Sequence, residues 1–83
     1  MKLLYFAWLR QRIGLPGEEI ELPTDVATVQ ELVAWLGARG GAYAEALADP
    51  AIVRVAVNQA YAQPGDPVTD TDEVALFPPV TGG

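Results

Sequence analysis

The chain closes on DEVALFPPVTGG, Asp72 to Gly83. Pro78 and Pro79 stiffen the approach, and Gly82 and Gly83 finish it without a side chain. The group here that can do chemistry is the terminal carboxylate of Gly83. Its pKa of roughly 3.3–3.7 makes it an anion at neutral pH and a poor electrophile. To transfer anything it must first be activated, for example as a mixed anhydride with AMP. An enzyme that does this encloses the carboxylate and excludes water, so the segment entering it must be thin. Glycine has no Cβ and reaches backbone conformations closed to other residues. Two prolines favour an extended arm with little entropy left to lose. Val80, Thr81, Gly82 and Gly83 then reach about 13–14 Å beyond the prolines. The competing reading is a frayed end, since termini are often disordered and rich in small residues.

Composition removes most other chemistry. The 83 residues are expected to form one domain. There is no cysteine, hence no disulfide, thiolate nucleophile or cysteine metal cage. There is no histidine either, which excludes zinc sites and general bases of the usual kind. Eleven acids against five bases leave a net charge of −6. That argues against nucleic acid and anionic membranes as partners and fits steering toward a basic groove. Asp70, Asp72 and Glu73 lie in close order in TDTDE, but a calcium loop needs more ligands, a turn glycine and a closing bidentate glutamate. They read as a polar turn, and no metal is expected. No glycine run has phosphate-loop spacing, so any ATP is handled by a partner. The opening MKLLYFAWLR is too short to span a membrane and lacks a cleavage site of small residues. A cytoplasmic protein is expected.

The elements that must position the tail follow from periodicity. Leu3 to Leu9 is continuously apolar and reads as a buried strand, with Leu3, Tyr5, Ala7 and Leu9 on one face and Leu4, Phe6 and Trp8 on the other. LPG at Leu15 to Gly17 is a turn. EEIELP alternates, placing Ile20 and Leu22 opposite Glu19 and Glu21, and is expected to pair with the first strand as a hairpin. In TVQELVAWL, Thr28 and Glu31 form a capping box. Val29, Leu32, Val33 and Leu36 follow as one helical stripe. Ala42 to Ala48 reads as a short second helix with Tyr43 and Leu47 on one face, closed by Asp49 and Pro50. IVRVAVNQAYA is the third strand, with a turn at Asn58 and a short return over Ala60 to Gln63. Val74 to Phe77 is the last strand, and if Val74 and Leu76 face the core, Ala75 and Phe77 face outward. Trp8 and Trp35 read as packing residues, and Arg39 and Arg54 as solvated or paired surface cations.

The order predicts an α+β fold of ubiquitin-like β-grasp type. A mixed sheet of about five strands carries one main helix on one face, and the first and last strands run parallel in the middle. Residues 1–77 form the domain and 78–83 the extended Gly-Gly tail.

These residues resemble a known family. DEVALFPPVTGG resembles the end of the small, sulfur-carrying subunit of molybdopterin synthase; MKLLYFAWLR, TVQELVAWL and VAVNQAYA resemble its opening, its helix start, and its third strand and turn. Relatives that carry sulfur for thiamin or for tRNA share the fold and the Gly-Gly end but usually lack the FPP before it. The resemblance implies a β-grasp fold that binds no cofactor of its own. It implies an E1-like adenylyltransferase that uses ATP to adenylate the terminal glycine, and a sulfur donor enzyme that converts it to a thiocarboxylate. It implies a heterotetramer in which two small subunits bind a dimer of the large subunit and insert their tails. Sulfur then passes to cyclic pyranopterin monophosphate, making the dithiolene of molybdopterin. On this chain Gly83 would carry the sulfur and Gly82 would allow the narrow passage. Pro78, Pro79, Val80 and Thr81 would run into the partner, and Phe6, Tyr61 and Phe77 would form an apolar docking patch. Tyr61 stands where an aliphatic residue is expected.

Two other functions fit an activated or inert tail. A ubiquitin-like modifier would use the same acyl group to make an isopeptide; with Lys2 the one lysine, chains built on the protein itself would be limited to Lys2 or the N-terminus. An interaction module would not use the tail at all. Deleting Gly83 separates the module from the other two.

Overall fold

Lys2–Tyr5 forms the first strand, β1, and it ends where Ala7 takes a left-handed φ of 55°. That reversal starts a helix, α1, over Ala7–Ile13. The expected strand from Leu3 to Leu9 is therefore half strand and half helix. Leu9 turns into the core, and Trp8 and Ile13 pack against it. Arg10 and Arg12 sit in the last turn, where cations favour the helix dipole. Gly14, at φ 87°, closes the helix with its N–H on the Arg10 carbonyl. The apolar run reads as a continuous strand because its residues are apolar in both halves, although in the helix only Leu9 is buried.

The structure, a computed structural model, describes residues 1–79. After α1 come β2 (Gly17–Glu19), α2 (Val29–Gly37), α3 (Gly41–Ala46), a 3-10 turn (Pro50–Ile52), β3 (Arg54–Val57), β4 (Ala60–Tyr61) and β5 (Glu73–Phe77). The sheet order is β2-β1-β5-β3-β4, with β1 and β5 parallel at the centre and the other pairs antiparallel. This is the expected mixed five-stranded sheet of the β-grasp type. The second strand pairs with the first as expected, but α1 lies in the connection, so the two do not form a tight hairpin. The strand also begins earlier than its alternation suggests, at Gly17. A Cβ there would lie 2.5 Å from the Leu3 carbonyl oxygen, so only glycine allows this approach.

The core lies on one face of the sheet. Leu3 and Tyr5 of β1, Val55 of β3, and Val74 and Leu76 of β5 pack with Leu9 of α1, Val29, Leu32 and Leu36 of α2, and Ala46 and Leu47 at the end of α3. The Thr28–Glu31 capping box forms as predicted. The loop at Pro64 and Asp66 supplies two further carbonyls to the Val29 and Gln30 N–H groups, completing the helix start. Trp8 and Trp35 both pack against the core cluster. Helix α3 stops at Ala46, before the expected Ala48, and Asp49 caps the following 3-10 turn through the Ala51 N–H. Two positive-φ residues, Asn58 at 51° and Gln59 at 69°, join β3 to β4. Both signs match a primed two-residue hairpin turn, whose twist suits the strands. β5 is one residue longer than predicted, beginning at Glu73.

Candidate functional site

Alternation along β5 decides which side chains leave the core. Val74 and Leu76 are fully buried, while Ala75 and Phe77 lie on the opposite face. The antiparallel register sets Arg54 of β3 beside Phe77, and Val55 beside Leu76. β4 brings Tyr61 beside Ala56, so Tyr61 joins the same outer face. Its ring meets that of Phe77 with centroids 5.8 Å apart and planes tilted by 53°. Tyr61 is 77% exposed. Together with Ala56 and Gln59 the two rings border a small hollow.

Phe6 enters from the other side of β5. Its N–H donates to the Leu76 carbonyl at 3.1 Å, continuing the parallel ladder one step past Tyr5. The next residue is Ala7, so the strand ends there with Phe6 47% exposed. Phe6 and Phe77 therefore flank the end of β5, at the point where the chain continues into the half-buried Pro78 and Pro79. The structure brings Phe6, Tyr61, Phe77, Pro78 and Pro79 to one rim of the sheet. Val80, Thr81, Gly82 and Gly83, the other predicted site residues, lie outside the described residues.

The acidic turn is occupied by the backbone. Asp70 accepts from the Leu22 N–H at 2.7 Å and from the Met1 amine at 3.2 Å; the first bond above all holds its carboxyl below the ordinary range. Asp72 accepts from the Asn58 side chain at 3.0 Å and from the Thr69 N–H at 2.8 Å, with the same effect. Asn58 returns a second bond, accepting from the Glu73 N–H at 3.0 Å. These bonds tie the β3–β4 turn to the start of β5 and so fix where β5 begins. Among the described residues no group of histidine, cysteine, aspartate or glutamate side chains is arranged to hold a metal ion. No described helix is long and apolar enough to cross a membrane.

A polar cluster on the helical face of the sheet escaped the sequence reading. Glu18 of β2 accepts from the Tyr5 hydroxyl at 2.8 Å, from the Tyr43 hydroxyl, and from Arg39 Nη1 at 2.9 Å. Arg39 also lies over the rings of Trp35 and Tyr43, each 4.9 Å from its Cζ. Burial alone would push the Glu18 carboxyl up, but the bonds from Tyr43, Arg39 and Tyr5 outweigh it and hold it below its ordinary value. Burial and then the bond to Glu18 push the Tyr5 hydroxyl up, so it stays a donor. The one sequence signal was that Glu18 shares its strand face with Ile20 and Leu22 and so points toward the core.

The chain matches the ThiS family over residues 3–83. It is 41% identical over 83 residues to the molybdopterin synthase sulfur carrier subunit of Escherichia coli, covering 100% of this chain and 99% of that protein. The subunit of the same name from Haemophilus influenzae is 37% identical, again covering 100% of this chain and 99% of its own. Among solved structures, one described as molybdopterin converting factor subunit 1 of Pyrococcus furiosus superposes with a TM-score of 0.76 at 35% identity, covering 95% of each chain.

Proposed function

The chain belongs to the ThiS family, and on that premise we propose that it is the sulfur-carrier subunit of a molybdopterin synthase, acting in molybdenum cofactor biosynthesis. The observation that carries this reading is the end-to-end identity of 41% and 37% with two proteins of that name. The working group is the terminal carboxylate of Gly83. An E1-like adenylyltransferase joins it to the α-phosphate of ATP and releases pyrophosphate. The acyl adenylate is then attacked by sulfur from a donor enzyme, AMP leaves, and a thiocarboxylate remains. That sulfur is delivered to cyclic pyranopterin monophosphate in the active site of the large subunit, in an assembly of two small and two large subunits. The small subunit supplies no catalytic side chain and no cofactor, and it works in the cytoplasm.

The described rim supports this division of labour. Phe6, Tyr61 and Phe77 are aromatic, exposed or half-exposed, and stand where the chain leaves the sheet. Exposed aromatics of this kind are natural at an interface. They dock the domain, and Pro78 and Pro79 direct the following residues outward. Gly82 keeps the passage narrow.

The test is an intact mass after incubation with the host's E1-like enzyme, ATP and a sulfide source. The expected gain is one sulfur-for-oxygen exchange, lost when Gly83 is deleted. An unchanged mass, with the same enzyme competent on another carrier, would overturn the reading; lysine isopeptide adducts would then point to a protein modifier.

A further inference from the structure

We propose that Arg54 is a charge-reading contact of the docking face, and that the partner covering Tyr61 and Phe77 presents a carboxylate to its guanidinium. The inference rests on the sulfur-carrier reading, because it takes the large subunit as that partner.

Arg54 stands beside Phe77 in the β3–β5 register, on the face away from the core. With Tyr61 and Phe77 it also lines a groove whose other walls include Val29 and Val33 of α2. Arg54 thus belongs both to the outer sheet face and to the lining of that groove. Its Nη1 donates to the Ala51 carbonyl at 3.1 Å. A guanidinium carries five N–H donors, and no other side-chain bond of Arg54 is found among the described residues. Lys2 pairs with Glu73 and Arg39 with Glu18; Arg10, Arg12 and Arg54 have no carboxylate within ion-pair distance among the described residues, and of these three only Arg54 stands beside the aromatic rim. The chain holds eleven acids and five bases, so an acid was available in composition and is not placed here.

A partner that covers the two rings also removes water from this cation. An uncompensated charge in an interface is strongly unfavourable, and a carboxylate held in the guanidinium fork is the matching group. Arginine is also among the residue types enriched at interface hot spots. With a net charge of −6 the chain as a whole is not steered toward a carboxylate. The Arg54 contact therefore sets register and partner choice at short range rather than driving encounter.

The experiment is a calorimetric titration of the large subunit from the same source with four proteins: wild type, Arg54→Gln, Arg54→Glu and Arg12→Glu. Arg12 is exposed on α1 and controls for net charge. Arg54→Gln is expected to bind about 10-fold more weakly and Arg54→Glu about 100-fold more weakly. Arg12→Glu should stay within about threefold of wild type, as exposed charges away from a contact contribute little. Reversing one acid of the large subunit to lysine should restore much of the Arg54→Glu loss. Arg54→Glu binding like wild type, with unchanged circular dichroism, would overturn the proposal, as would an equal loss in Arg12→Glu. If Arg54→Glu does not fold, undiminished binding by Arg54→Gln overturns it. Wild type failing to bind the large subunit sinks the functional reading itself, and the inference with it.

Discussion

Glu18 and Arg39 meet at 2.9 Å, joining the short second strand to the turn that follows α2. With the Tyr5 and Tyr43 hydroxyls on the same carboxylate, four side chains from separate parts of the chain close one side of the core.

Replacing Glu18 by Gln removes the charge and weakens each of these bonds. Bonds to charged groups contribute about 1.5–3 kcal/mol in buried settings. Arg39 retains 30% of its side-chain exposure, so a loss of about 1–2 kcal/mol is expected. Urea denaturation at pH 7 reads it directly. The folded Glu18 carboxyl titrates below its ordinary 4.5, so the unfolded chain binds the proton more readily. Its contribution is complete above that value and is lost as the pH falls through the lowered one. The gap between wild type and Glu18→Gln should close in acid, and a gap that persists undiminished at pH 2 would contradict this account.

Leu76 and Phe77 are neighbours on β5 that face opposite sides of the sheet. Leu76→Ala empties a fully buried site and should cost about 2–5 kcal/mol. For a domain of this size that is a large share of the total stability. Phe77→Ala lies on the outer face and should leave most of the stability in place, while weakening large-subunit binding by about 2 kcal/mol or more. Thermal melts and a binding titration on both variants separate the two roles.

Gln59 sits at φ 69° with no side-chain hydrogen bond to any of the described residues. A non-glycine residue in this region carries a penalty of roughly 1–2 kcal/mol. Glycine removes the penalty but gains freedom in the unfolded chain, worth about 0.4–1 kcal/mol in the other direction. Gln59→Gly, which creates the Asn-Gly pair favoured in such turns, is expected to raise stability by about 0.5 kcal/mol. A fall in the urea midpoint would show that the Gln59 side chain holds the turn.

Thr28 caps α2 through the Glu31 N–H at 3.2 Å, and Glu31 answers through the Thr28 N–H at 3.1 Å. Thr28→Ala should cost about 1 kcal/mol. Thr28→Ser keeps the hydroxyl and should recover most of it, so equal losses in both variants would assign the effect to the Thr28 methyl instead.

Much of this architecture was legible because its causes are local. The capping box needs residues three apart. The turn at Asn58 was legible from one residue that tolerates positive φ, although the structure uses two, Asn58 and Gln59. The outward direction of Phe77 follows from a period of two once Val74 and Leu76 are buried. The parallel pairing of first and last strands followed from element order and the single strong helical stripe.

The rest depended on neighbours remote in sequence. The run Leu3 to Leu9 is equally apolar in its strand half and its helix half, so only the packing of Leu9 against the rest of the core decides that the backbone turns at Ala7. That turn is also what ends β1 and leaves Phe6 exposed beside β5. Glu18 finds partners 13, 21 and 25 residues away, none of which its own alternation names. Arg54 was just a surface cation until the β3–β5 register set it beside Phe77. A glycine pair, a cap or an alternating strand is written in adjacent residues, whereas the meeting of a cation with an aromatic rim is created by strand pairing, which brings together groups the chain keeps far apart.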